Sequence, residues 1–295
     1  MTSQQGMLEG FDPPRSRTAE IARVLVDVDL PHIDRPLDYI VPDRLVDQAV
    51  VGCSVRVRFS GSRVDGWIVE RTRRDVLDEA AQIESVSSSL PVLTPAMYDT
   101  ARRIARRFLA TTSQVLSAAI PPRHARGEKH VLDLPAQPWP LVQAPTESAC
   151  WSAYAAGQAL VHRLAAGESP RAIVTTLHPL THACLSDVVA ATVSSGRSVI
   201  VVTATGDDAA RYARDIEEDL GVPVAITGSE ASPEERYRVH ASASLGRVPI
   251  VVGTCSAVWV PCASLGPKIL RLLIIKTCQA ISLEKQNMTM FFKTG

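Results

Sequence analysis

Residues 51–70 read VGCSVRVRFSGSRVDGWIVE, and their alternation decides the fold of the first part of the chain. Val55 and Val57 fall on one face of an extended run and Arg56 and Arg58 on the other, the period-two pattern of a half-buried strand. The polar SGSR turn then leads into a second extended run, VDGWIVE. Upstream, IARVLVDVD (21–29) repeats the alternation. A turn-rich connection, LPHIDRP (30–36), leads into LDYIVP (37–42), which Pro42 stops. Short strands with tight polar connections predict a small antiparallel sheet or barrel over about residues 21–90. At PVLTPAMYDTARRIARRFLA (91–110) the period changes. Thr94 as cap and Pro95 at the first helical position start a helix. Met97, Ala101, Ile104 and Phe108 are expected to share its inner face, with Arg102, Arg103, Arg106 and Arg107 mainly outside. TTSQVLSAAIPPR (111–123) closes this domain at Pro121 and Pro122.

Residues 1–19 read as a disordered lead-in and 124–148, proline-rich and weakly patterned, as a linker. From 149 helical and strand patterns alternate: AYAAGQALVHRLAAG, RAIVTTL, HACLSDVVAATVSSG, RSVIVVTA, DDAARYARDIEEDLG, VPVAIT, SPEERYRVHASASLG and VPIVVGTCSAV. Apolar strands separated by helices predict a parallel sheet covered on both faces over 149–267, so the chain is α/β overall with a β-rich first domain. Residues 268–295 depart in composition. Up to 267 there are 25 arginines and one lysine, whereas 268–295 hold four lysines and one arginine. This aberrant tail reads either as a natural lysine-rich end or as the product of a shifted reading frame.

Charge balances, with 31 basic and 31 acidic side chains, so any nucleic-acid site must be local. Residues 20–126 hold 15 arginines against 14 acidic residues, and 127–267 hold 9 basic against 14, making the first domain relatively more basic. The six cysteines include no CxxC pair to open a zinc site and read mostly as small buried hydrophobes in a reducing compartment. Neither a signal peptide nor a membrane anchor is legible, and the expectation is a cytoplasmic, nucleoid-associated protein with no membrane partner.

A nucleotide-hydrolysing sheet needs a glycine-rich loop, a lysine and a magnesium-binding hydroxyl after its first strand. Here that loop reads HPLTHAC, with His178, Pro179 and His182 in place of glycines and lysine. SSGRS (194–198) precedes a strand instead of following one and reads as a helix end with Gly196 at the C-cap position. No DExH or DExD sequence occurs. The carboxylates Asp215, Glu217, Glu218 and Asp219 read as a solvated helix face. Pro179 and the missing glutamate count against a metal role for His178 and His182, and GTCSA (253–257) offers Cys255 no identifiable base. No catalytic, nucleotide-binding or metal-binding residue is assigned, and no cofactor is expected.

Two readings of the first sheet stay open. Arg56, Arg58, Arg63, Arg71, Arg73 and Arg74 form either a phosphate-contacting edge, with Tyr39, Phe59 and Trp67 as stacking surfaces, or an ordinary solvated sheet with aromatic core residues. The runs at 21–43, 51–70 and 91–123, together with GRVPIVVGTCSAVWVPCASLG (246–266), resemble the PriA (primosomal protein N-prime) family of replication restart proteins, in an actinobacterial form. The resemblance covers about residues 20–267, most closely 21–123.

It implies that residues 20–123 form a domain holding the 3' end of DNA at an arrested fork. The family's aromatic–Asp–Tyr run corresponds to Leu37, Asp38 and Tyr39, and its following glycine to Gly52. By that resemblance Asp38 accepts hydrogen bonds from the terminal sugar or base, Tyr39 supplies a flat contact, and Gly52 admits close backbone approach. Leu37 departs from the aromatic pattern, and a plain turn-capping role for Asp38 remains the alternative. The resemblance makes 149–267 the partial first lobe of a superfamily 2 helicase. ATP, Mg2+ and structural Zn2+ serve the family, but their motifs are absent here, and Cys255 stands where the family has arginine. The expectation is a chain that binds branched or single-stranded DNA with a 3' end, with primosome or single-strand-binding proteins as further partners, and without helicase activity. An ATP-dependent 3'-to-5' DNA helicase, or a non-functional remnant of one, is the alternative.

Overall fold

In the computed structural model of the chain, the alternation read from residues 51–70 becomes two strands of one antiparallel sheet. The structure describes residues 16–77, 80–170, 172–174, 178–262, 271–273 and 291–292. The chain divides into two units, Met1–Val115 and Leu116–Gly295.

The first unit is built on β1 (Ser16–Val26), β2 (Leu37–Ile40), β3 (Ser54–Phe59), β4 (Ser62–Leu77) and β5 (Ile83–Ser88), in the order β2-β1-β4-β3-β5. Four residues of the expected lead-in, Ser16–Ala19, belong to β1 and pair with the far end of β4; residues 1–15 lie outside the described residues. Val55 and Val57 are buried while Arg56 and Arg58 are exposed, as the alternation requires. The core gathers Ala22, Val24, Val26, Tyr39, Val41, Cys53, Val55, Val57 and Ile68. The Ile40 N–H donates to Ala81 O at 2.8 Å, and Ile40 bridges Gln82, so the sheet curls its first edge toward the start of β5. Gly52 sits at φ +89°, and a Cβ there would lie 2.3 Å from Leu93 O. Only glycine fits this close approach.

Helix α1 (Pro95–Phe108) starts as expected: Thr94 Oγ1 accepts from the Met97 N–H, and Pro95 opens the first turn. Its inner face is Met97, Ala101 and Ala105. Phe108, expected on that face, is 71 % exposed, because the helix ends at Leu109 in the left-handed conformation and the core does not reach its last turn. Helix α2 (Thr112–Ala119) spans the division between the units.

In the second unit, α3 (Ala125–Asp133) lies within the stretch read as a linker. It packs on α8 (Pro233–Ser244) and buries Gly127, Glu128 and Val131. Tyr237 of α8 donates its hydroxyl to Glu128 at 3.0 Å, which satisfies the buried carboxylate. A short helix with a polar buried residue carries too weak an apolar period to be read from sequence. There follow α4 (Ala149–Ser152), α5 (Gly157–Ala165), β6 (Ala172–Ile173), α6 (His178–Ser194), β7 (Val199–Val202), α7 (Gly206–Leu220), β8 (Val224–Thr227) and, after α8, β9 (Ile250–Gly253). The sheet is parallel, in the order β10-β7-β9-β8, with β10 at Arg271–Leu273.

Its central strands β7 and β9 are buried on both faces. Val199, Val201, Ile250 and Val252 pack with Leu185, Val189, Tyr212 and Ile216 on one side. Ile200, Val202 and Val251 pack with Ala243, Ala257 and Val260 on the other. This is the doubly covered sheet that the apolar runs predict. Of residues 268–295, read as an aberrant tail, β10 joins that sheet and β11 (Phe291–Phe292) pairs with β6. The remainder of that stretch lies outside the described residues.

Cys150 and Cys184, read as thiols, form a disulfide joining α4 to α6 with Cα atoms 5.5 Å apart. Their separation of 34 positions gives no sequence signal for the pairing. Cys53 and Cys262 are buried and Cys255 is exposed. Among the described residues, no helix is long and apolar enough to cross a membrane.

Candidate nucleic-acid interface

Antiparallel pairing of β1 with β2 sets Arg23 opposite Asp38, Ala22 opposite Tyr39 and Val24 opposite Leu37. Because successive residues of β2 face opposite ways, Asp38 and Tyr39 have different surroundings. Asp38 is half exposed and held between two guanidinium groups: Arg74 donates to its Oδ2, and Arg23 Nε lies 3.7 Å from its Oδ1. Arg23 also donates to Glu70 at 2.8 Å. The result is a fixed, solvent-facing carboxylate on the edge strand, flanked by two arginines. Arg74 was among the candidate phosphate contacts, whereas Arg23 was not singled out; the signal for it was the cross-strand charge pair.

Tyr39 turns inward. It is 3 % exposed, and its hydroxyl donates to Arg58 O on β3 at 3.1 Å. Burial raises the phenol's pKa above its ordinary value, so the hydroxyl remains a donor at neutral pH. In this conformation the ring is a core residue, without a face to lay against a base or sugar. Gly52 lies at the loop before β3, where its N–H donates to Ile68 O at 2.7 Å and its carbonyl accepts from Leu93 at 3.1 Å. The glycine is required there by the backbone itself.

The candidate phosphate contacts Arg56, Arg58 and Arg63 are exposed but engaged. Arg56 makes a two-point contact with Asp65 at 2.9 and 3.2 Å, which raises its pKa. Arg58 and Arg63 share Glu84 at 2.7 and 2.8 Å. Arg71 is turned to the Val46 and Ala49 carbonyls and to Glu20. Exposed pairs of this kind contribute little because water and salt screen them, so a phosphate can compete for these arginines but does not find them vacant.

Asp34, not assigned a role from sequence, ties the β1–β2 connection to the start of α2. Its carboxylate accepts from the Thr112 N–H at 2.8 Å and the Thr112 hydroxyl at 2.9 Å, and Ser113 donates to Val28 O at 2.9 Å. These bonds fix the loop that delivers β2, and with it Asp38.

The second unit supplies a different picture at its loops. Arg197, the arginine of SSGRS, donates to the carbonyls of Leu164 and Glu168 at 2.8 Å each, capping the end of α5. Gly196, at φ +76°, follows the end of α6. The side chains of His178, Pro179 and His182 lie outside the described residues. Among the described residues no cluster of His, Cys, Asp and Glu is arranged to hold a metal ion.

Residues 23–121 match the family of the 3'DNA-binding domain (3'BD) of PriA. The chain is 34 % identical over 242 residues to a probable replication restart protein PriA of Mycobacterium tuberculosis (strain ATCC 25618 / H37Rv), covering 80 % of this chain and 36 % of that protein. It is 30 % identical over 241 residues to the probable replication restart protein PriA of Mycobacterium leprae (strain TN), covering 80 % and 37 %. Similarity to the replication restart protein PriA of Bacillus subtilis (strain 168) is 30 % over 124 residues, covering 39 % and 15 %. The chain thus spans about a third of the length of the mycobacterial relatives.

Proposed function

We propose, from the premise that residues 23–121 belong to the 3'DNA-binding domain family of PriA, that this chain binds branched DNA or 3' ends at stalled forks in replication restart. The observation that carries the reading to particular atoms is Asp38, a half-exposed carboxylate clamped by Arg23 and Arg74 on the edge strand. An ionised carboxylate only accepts hydrogen bonds, and a terminal 3' hydroxyl is a donor that matches it. The flanking guanidinium groups suit the phosphate of the last nucleotide linkage. Tyr39 acts from beneath: its buried ring and its bond to Arg58 O fix β2 so that Asp38 faces outward. Gly52 keeps the neighbouring loop tight. Arg56, Arg58 and Arg63 are further phosphate contacts once DNA displaces Asp65 and Glu84.

The reading is of DNA binding without helicase activity, supported by a first-strand loop, HPLTHAC, that lacks the glycines and lysine of a phosphate cradle. Primosome or single-strand-binding proteins as partners, and a cytoplasmic, nucleoid-associated location, belong to the same proposal. ATP, Mg2+ and Zn2+ have no role in it.

The test is Asp38→Ala in the full chain, with affinity for a short single strand bearing a free 3' hydroxyl compared with affinity for a closed circular single strand. A hydrogen bond to a charged group is worth about 1.5–3 kcal/mol, which is roughly 10- to 150-fold in Kd. That loss is expected on the linear strand and not on the circle. Equal losses on both would remove the end-binding role of Asp38.

A further inference from the structure

In the first sheet Arg23, Arg56, Arg58, Arg63, Arg71 and Arg74 are each paired with a carboxylate, whereas on α1 only Arg102 is. Arg102, Arg103, Arg106 and Arg107 are all exposed. Against them the helix carries one acidic residue, Asp99, which lies 3.9 Å from Arg102. Arg103, Arg106 and Arg107 make no ion pair or side-chain hydrogen bond with a described residue; Arg107 only overlies the Phe108 ring, 5.6 Å from its centre. At about 100° per residue the four guanidinium groups form two adjacent rows, opposite the face that Met97, Ala101 and Ala105 bury. Within each row, residues four apart are spaced about 6 Å along the axis.

Favourable interaction with the helix dipole explains arginine in the last turn, at 106 and 107, but does not reach Arg103. A solvated helix face normally interleaves both signs so that residues four apart pair, and this one does not. The ridge is a line of cations with one carboxylate beside it, in a domain (residues 20–126) whose other 11 arginines stand against 14 acidic residues in all. The exposed apolar side chains beside it, Phe108 and Leu109, stand at its C-terminal end and not at its centre. A folded protein partner needs an apolar anchor at its centre. A linear polyanion needs only the charges.

We propose that the outer face of α1 is a second DNA contact, which grips the phosphodiester backbone irrespective of sequence or of a nearby end. The choice of DNA as the polyanion rests on the function proposed above, but the contact is separate from Asp38. Together the two would give end recognition on the edge strand and retention along the helix.

The experiment measures binding of the full chain to closed circular single-stranded DNA, which has no 3' end, as a function of salt. It uses the native protein, the triple variant Arg103→Gln/Arg106→Gln/Arg107→Gln, and the same positions changed to lysine. Three phosphate contacts on a single strand contribute about 2 to the slope of log K against log salt. Between 50 and 200 mM salt that slope amounts to roughly 20-fold in affinity. The glutamine variant is expected to lose that part of the slope and the lysine variant to keep it, because a phosphate contact needs the charge more than the fork-shaped donor. Both variants should retain any preference for a free 3' hydroxyl on a linear strand. An unchanged slope in the glutamine variant, or a lysine variant that behaves like it, overturns the ridge. A native protein with no 3'-end preference, but with a slope that falls in the glutamine variant, would instead count against the function proposed for Asp38 and leave the ridge standing.

Discussion

Replacing Tyr39 in two ways separates a core tyrosine from a ligand-binding one. Tyr39→Phe keeps the buried ring and removes only the bond to Arg58 O at 3.1 Å. Such a bond contributes about 0.5–1.5 kcal/mol net. Tyr39→Ala removes the ring from a site that is 3 % exposed and packed with Val41, Cys53, Val55 and Val57. Large-to-small aromatic truncation in a core costs about 3–5 kcal/mol, a large fraction of a domain's stability. Hydrogen exchange followed by mass spectrometry on peptides covering Ser54–Phe59 reads the opening energy of this sheet separately from the second unit. Phenylalanine is expected to lower protection by about three- to tenfold and leave affinity for a 3'-hydroxyl strand within twofold. Alanine is expected to abolish both protection and binding. A phenylalanine variant with native protection but tenfold weaker DNA binding would refute the inward role of Tyr39 and make its hydroxyl a DNA contact.

Gly52→Ala forces a side chain into the left-handed region at φ +89° and drives Cβ to 2.3 Å from Leu93 O. We predict a loss of about 3 kcal/mol or more, measured by the same exchange experiment. Gly61→Ala, at φ +81° with nothing within 4 Å, should cost only the backbone strain of roughly 1–2 kcal/mol. In α8 the Ser232 side chain and the Glu235 carboxylate cap each other's backbone N–H groups, and the bonds from Ser232 depress the Glu235 pKa. A depressed folded-state pKa means the contribution is present above the ordinary glutamate value of about 4.3 and is lost as pH falls through the depressed one. Glu235→Gln should flatten that acid dependence of α8 protection, and Ser232→Ala should cost about 1 kcal/mol at neutral pH.

Much of the fold was legible because period and burial agree in these strands. Val55 and Val57 point in and Arg56 and Arg58 point out, and the apolar runs at 199–202 and 250–253 became strands buried on both faces. The helix cap at Thr94 follows from local chemistry. Phe108 was misread because helical period says which side a residue faces, not how far the core extends. Helix α3 was missed because its buried face includes Gly127, which packs on Glu234 and Arg238, and Glu128, which accepts from Tyr237 109 positions away. The cysteine pair at 150 and 184 was hidden for the same reason of distance. At the candidate site, Asp38 was legible as a polar position on β2, but its clamp by Arg23 and Arg74 depends on strand register. The sequence also does not separate an exposed tyrosine from a buried one at position 39, since both fit an alternating strand.

The most direct test of the central claim compares the full chain's affinity for a labelled fork ending in a free 3' hydroxyl with that for the same fork ending in a 3' phosphate, at fixed moderate salt. A 3' phosphate removes the hydroxyl donor and brings negative charge against Asp38, so at least tenfold tighter binding of the free end is expected. Equal binding of the two forks by folded protein would contradict it and leave only backbone affinity.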